Sequence, residues 1–294
     1  MRSFLALLRR EYLEHRGAFL YAPLILIAIQ AVLIAVALFS GHARFSGPTS
    51  SLDFRLFDNG YLGIAVLWGG YLFISVFFYF ADAFNADRRN NQIYFWKSMP
   101  VSDLKVLLSK LVAGLTILPA LVFLALLLSG VVAAVASFLV PLVLPLLSSP
   151  DPAAIAASWA RISLVALCYF VLMLLWYTPF FAWVGALSTV VGRWSIGLAL
   201  LVPAVASLFE GVIDFGAAPG GSYVLSFLKQ RLSFNFDLPY LQYLIFSTEP
   251  VDPVALAGRL VATVDWLSLA LGLVFALLVV WLASEYRRRR VLKG

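Results

Sequence analysis

YLGIAVLWGGYLFISVFFYFA, Tyr61–Ala81, runs for 21 residues without a charged side chain. A helix of about 20 residues spans the roughly 30 Å hydrocarbon core of a bilayer. A barrel strand would alternate apolar and polar positions over about ten residues. Here apolar side chains fill consecutive positions, so the stretch reads as a membrane-spanning helix.

Five further windows of the same character lie outward from it: Ala18–Ser40, Val106–Leu128, Ile162–Ala182, Trp194–Val212 and Val264–Ala283. Hydrophobic residues make up 63% of the 294 positions and charged residues 12%, against roughly 25% charged in a soluble domain. A body of this size cannot clothe its exterior in water with so few polar groups, so lipid must be the solvent for much of the chain. The expected fold is all-α: one transmembrane domain, residues 1–294, that crosses the membrane six times.

Lysine and arginine set the orientation. With both termini in the cytoplasm, fifteen basic residues fall inside and six outside (Arg44, Arg55, Arg161, Lys229, Arg231, Arg259). The opposite topology inverts that bias. The net charge of +6 thus reflects topology and contact with anionic lipid, and calls for no nucleic acid. Ala35-Val36-Ala37 fits a small-x-small cleavage pattern, but the apolar stretch before it is too long for a signal peptide, so the first window is read as an anchor. Cys168 is the one cysteine, and it excludes an internal disulfide framework.

Residues 1–16 form an amphipathic helix with Phe4, Leu5, Leu8 and Tyr12 at helical spacing on one face. Such a helix lies in the headgroup plane before the chain turns inward at Gly17; a plain basic flank that holds topology is the alternative. Pro141 and Pro145 should end the third helix, and Asp151-Pro152 supplies an N-cap and a first-turn proline for the fourth. Pro119, Pro179 and Pro203 lie inside spans and should kink them. No internal repeat is visible, which disfavours an inverted-repeat carrier. The outer segment, residues 213–262, carries eight aromatics, among them Phe227 and Phe236. Gly216–Gly221 and Pro239 divide it into pieces that should lie back on the outer leaflet or re-enter it. A self-packed external cap is the plainer alternative.

Several chemistries are excluded by inventory. His15 and His42 are the only histidines and both lie outside the spans, so no histidine-dependent protease site can form near the bilayer. Glycine is nowhere followed by lysine, so no Walker A loop is present. Asp82, Glu210, Asp214 and Asp265 sit near span ends rather than mid-membrane, unlike the carboxylates of ion-driven carriers. Glu210 is a candidate lining residue of an exit path, with a snorkelling or cap-facing carboxylate as its plainer role. No catalytic, cofactor-binding or metal-binding residue is expected in this chain.

The apolar pattern stops at residues 85–103. Asp87, Arg88 and Arg89 bring both signs of charge, Tyr94, Phe95 and Trp96 can seat in the interface, Lys97 follows, and Ser102 with Asp103 can cap the next helix. A topological loop needs the positives but not the aromatic triplet or the capped restart. A short element pinned to the inner face suits docking by a soluble partner.

Three segments carry a family resemblance: RREYLEHRGAFLYAP (Arg9–Pro23), FFYFADAFNADRRNNQIYFWKSMPVSDLKVLLSK (Phe77–Lys110), and the last span ending in Arg287–Arg290. The chain resembles the type-2 permeases of bacterial ATP-binding-cassette exporters. The resemblance implies an N-terminal interfacial helix, a coupling segment at residues 85–103 and short re-entrant helices between the last two spans. It also implies a second permease copy or homologue and a separate cytoplasmic ATP-binding subunit that holds ATP and Mg. Location in the bacterial cytoplasmic membrane and export of an amphipathic cargo follow from the same resemblance. A non-transporting membrane anchor of an ATPase, and a membrane enzyme using Asp237 or Glu249 in the outer segment, are the other classes.

Overall fold

In the computed structural model the described residues are 2–40, 52–89, 102–143, 149–213, 223–232 and 252–291. Every element they form is helical. In chain order these are α1 (Arg2–Arg16), a π-helical turn (Gly17–Tyr21), α2 (Ala22–Phe39), α3 (Leu52–Arg89) and α4 (Asp103–Leu115). There follow α5 (Ile117–Val143), α6 (Pro152–Val191), a 3₁₀ turn (Gly192–Trp194), α7 (Ser195–Ile213), α8 (Tyr223–Leu232), α9 (Pro253–Thr263) and α10 (Trp266–Val291).

Five helical stretches among the described residues are long and apolar enough to cross a bilayer: Phe4–Phe39, Phe57–Phe84, Asp103–Val143, Pro152–Val191 and Trp266–Arg289. The expected span at Trp194–Val212 is the exception. Trp194 belongs to the 3₁₀ turn, and α7 begins at Ser195 and runs 19 residues to Ile213, a rise of about 28 Å at 1.5 Å per residue. Among the residues whose side chains are described, its apolar stretch is Ser195–Glu210, shorter than the five above.

α6 is the central post. It packs against α3 and α10 along much of its length and also touches α5, α7 and α9. Phe80 stacks on Phe181 at 5.5 Å, and Phe73 meets Tyr177 edge-on at 4.9 Å. Few polar groups enter this core, and several pair across helices, which offsets the cost of burying them. Tyr61 Oη lies 2.7 Å from Ser163 Oγ, and Trp68 Nε1 donates to Ser129 Oγ at 3.0 Å. Close approach needs glycine twice: a Cβ on Gly130 would stand 2.6 Å from Trp159 and Tyr61, and one on Gly114 2.5 Å from Phe80. α2 is peripheral and touches α5 through one stripe, where Gln30 Nε2 donates to the Ser129 carbonyl at 3.1 Å.

Several local expectations are met. Asp151 caps α6 by accepting from Ala153 N at 3.1 Å, with Pro152 at the first position. Ser102 caps α4 by accepting from Lys105 N. Pro119 does more than kink the third span. Its ring crowds the carbonyl four residues back, at Leu115, and the helix breaks there: α4 ends, Thr116 takes φ −128° and ψ −70°, and α5 begins. Pro179 and Pro203 sit inside continuous helices, and Pro141 lies within α5, which runs on to Val143. The turn expected at Gly17 is a π-helical turn without a break in helical backbone.

Candidate functional site

Two polar clusters stand out among the described residues. In the first, α1 and the C-terminal part of α10 both pack on α4. The face of α1 turned to the bundle carries Leu7 and Glu11, while Leu5, on the apolar face read from the sequence, is 63% exposed. Glu11 is 2% exposed and Lys110, on α4, is 0% exposed; Lys110 Nζ donates to Glu11 Oε1 at 2.8 Å. Tyr79 Oη, from α3, stands 3.0 Å from both Glu11 Oε2 and the Lys110 carbonyl. A phenol has one proton, and the carboxylate is the stronger acceptor. His15 covers the group, its ring edge-on to Tyr79 at 4.7 Å and its Nε2 3.8 Å from Glu11. This ion pair joins three helices, and removing one member strands the other charge at a cost of about 3–5 kcal/mol.

A second tie reaches α4 from the other terminus. Asp103 Oδ1 lies 3.6 Å from Arg287 Nε of α10. Glu285 accepts from Arg288 and Arg289 at 2.9 and 2.8 Å, so the basic tail of α10 is partly neutralised on its own helix. Glu11, Glu14 and His15 offer ligand atoms within 4.8 Å of one another. Glu11 already faces the ammonium of Lys110 and Glu14 the guanidinium of Arg10. A divalent ion would have to displace or tolerate those cations, so the group is a salt-bridged patch.

The second cluster is organised around α8 and packs on the middle of α6. Glu210, near the end of α7, accepts from Val224 N at 2.9 Å and so caps the first turn of α8. A carboxylate there also complements the positive end of the helix dipole. At the opposite end, two side chains of α6 donate to carbonyls that a helix C-terminus leaves open. Trp176 Nε1 donates to the Arg231 carbonyl and Tyr177 Oη to the Leu232 carbonyl, each at 2.8 Å. The Arg231 side chain, 3% exposed, lies over the Trp176 ring at 4.4 Å, and its Nη2 donates to the Ser268 carbonyl of α10 at 2.5 Å. Its Nη1 is buried without a hydrogen-bond acceptor. Burial pulls the guanidinium below its usual pKa, and the charge of Asp265 opposes that pull.

The expected site residues divide accordingly. Ser102 and Asp103 cap and pin α4 as described. Asp87, Arg88 and Arg89 form the backbone of the last turn of α3 rather than a separate element; their side chains lie outside the described residues. Tyr94, Phe95, Trp96, Lys97 and Phe236 also lie outside them. Glu210 holds α8, and Phe227, 59% exposed, points away from the bundle. Sequence inspection missed Glu11, Tyr79, Lys110, Trp176, Tyr177 and Arg231. A signal existed for two of them: Glu11 follows Leu7 and Phe4 at helical spacing, and Lys110 follows Val106 and Leu107 in the same way. A charge on an apolar stripe asks for a buried partner.

Comparison with protein-family models, curated proteins and solved structures returns no match.

Proposed function

We propose that the chain is the membrane-spanning permease of a bacterial ATP-binding-cassette exporter, paired with a second permease and powered by a separate cytoplasmic ATPase. The observation that carries this reading is the anchoring of α4. Residues 90–101 lead from the end of α3 into a helix capped by Ser102, tied to α10 through Asp103–Arg287 and to α1 and α3 through Lys110, Glu11 and Tyr79. A push on that short segment would pass through fixed contacts into both ends of the chain, which suits a coupling element in a two-state, rigid-body transporter.

A sixth crossing by α7 is part of the proposal. Ser195 Oγ donates to the Ala81 carbonyl near the terminal-side end of α3, while Glu210 reaches α8. These contacts support a helix that runs from the inner end of α3 to the level of α8, 19 residues long. α8 turns back from α7 to donors of α6 that lie far from the start of that helix, which supports a re-entrant outer segment. Cytoplasmic termini and an amphipathic cargo complete the reading.

Affinity purification of the tagged chain from native membranes tests it. A cassette ATPase should copurify, with its hydrolysis altered by Arg88→Glu/Arg89→Glu in correctly inserted protein. Recovery of the chain without any ATPase, under conditions that preserve membrane complexes, would sink the assignment.

A further inference from the structure

α8 is fastened at both ends by side chains of other helices, and one fastening is unusual in kind. Glu210 secures the first turn; Trp176 and Tyr177 secure the last carbonyls. Between these, the Arg231 side chain enters the seam where α6 meets α10. Gly272 on α10 makes room for it: a Cβ there would overlap Arg231 Nη2 and stand 2.8 Å from Pro179 Cγ. The guanidinium sits on an indole face and one carbonyl, with Nη1 unsatisfied. A buried cation held this way lacks the carboxylate that normally offsets its desolvation.

A carboxylate waits one turn outward. Asp265 precedes α10, is exposed, and accepts from Ser268 N at 3.0 Å and Ser268 Oγ at 2.6 Å. The Ser268 carbonyl, in turn, is the one that holds Arg231. Retreat of Arg231 from the seam along α10 therefore leads from a carbonyl to a full charge in contact with water.

We propose that Arg231 is a releasable latch: seated between α6 and α10 it clips α8 down over the bundle, and withdrawn it pairs with Asp265, freeing α8 to lift. The seated state has burial, the cation–π contact and the capped carbonyls in its favour; the withdrawn state has hydration and an ion pair. Opposing terms of this kind leave two arrangements close in free energy, as a lid requires. In the closed arrangement α8 lies against the middle of α6, at Trp176 and Tyr177, and against the first turn of α10, at Ser268. The latch is a property of this chain alone and stands or falls without any ATPase.

Local opening of α8 can be read by proteolysis, since a protease cuts a helix only when it opens. Lys229 is exposed on α8, and a lysine-specific protease cutting there yields the fragment 1–229, identified by mass. The full-length chain in lipid nanodiscs is the substrate. Arg231→Met should speed that cut about tenfold or more, and Gly272→Ala, which fills the seat from the other side, should speed it as well. Asp265→Asn keeps the helix cap, because asparagine caps as well as aspartate, but removes the charge that receives the guanidinium. It should slow the cut below the wild-type rate. Wild-type cutting of Arg231→Met, or cutting of Asp265→Asn at or above the wild-type rate, overturns the latch. Should either seam variant fail to fold, the conservative Asp265→Asn decides alone.

Discussion

At the end of the bundle that gathers both termini, a buried ammonium meets a buried carboxylate at 2.8 Å and a phenol completes the carboxylate's bonding. Beside α8, against the middle of α6, a guanidinium of similar burial rests on an indole and a carbonyl, with one nitrogen unsatisfied. Both sites bury a cation, yet their responses to perturbation should differ. Where the charges are matched, each holds the other in place and loss of either is severe. Where the cation is unmatched, its removal relieves a penalty while removing a contact, and the two effects oppose each other. Charge pairing thus separates a part built to stay from a part that can leave.

The largest expected effect is at the matched end. Lys110→Met should destabilise the protein by about 3–5 kcal/mol, seen as a lowered midpoint in reversible unfolding from detergent micelles. Glu11→Gln combined with Lys110→Met should recover much of that loss, because no charge is left stranded. Arg231→Met should move the same midpoint by about 1.5–2 kcal/mol, the tenfold release of α8 converted at 1.4 kcal/mol per factor of ten, and less than Lys110→Met because apolar replacement of an unmatched buried charge recovers part of the loss. Equal losses at the two sites would erase the contrast.

A smaller effect sharpens the matched end by geometry. A Cβ on Gly114 would stand 2.7 Å from the Tyr79 ring and 2.5 Å from Phe80, so Gly114→Ala must push α3 and α4 apart or tilt Tyr79 off Glu11. Overpacking of this kind costs about 1–3 kcal/mol. The double variant Gly114→Ala/Tyr79→Phe should lose less than the sum of its parts, because the two share one contact. Strict additivity would show that the Gly114 clash leaves the Tyr79 hydrogen bond untouched.

The smallest effect concerns the capped start of α8. Glu210→Gln keeps an acceptor for Val224 N but loses the charge, worth about 0.3–1 kcal/mol at a helix N-terminus. Cutting at Lys229 should rise by about two- to fivefold, at 1.4 kcal/mol per factor of ten. An unchanged rate would place the control of α8 wholly at its Arg231 end.

What the chain disclosed before folding was local. Apolar runs located the long helices, Asp151-Pro152 and Ser102 located two caps, and Pro119 located the break at Thr116. These features depend on residues within a turn or two of each other. The two polar clusters depend on partners far apart in sequence. Glu11 and Lys110 are 99 positions apart, Trp176 and Arg231 55, and Arg231 and Ser268 37. In a basic membrane chain Lys110 and Arg231 look like topology charges, and nothing near either shows that it will be buried. The side of α1 that meets the bundle was not legible for a related reason: Glu11 turns inward because its partner on α4 draws it there. The window Trp194–Val212 lies within one residue of the helix at each end, Ser195–Ile213.

The separation of Glu11 from Lys110 also sets an order of events during synthesis. At about 5–20 residues per second, roughly 5–20 s pass between the emergence of the carboxylate and that of its ammonium. During that interval the first two spans can enter the bilayer, while α1, with an unmatched acid on its inner face, has reason to stay in water or among headgroups. Docking of α1 must wait for α4. A nascent chain halted before Lys110 should therefore leave its N-terminal helix open to soluble proteases and chaperones, and one halted after α4 has emerged should not.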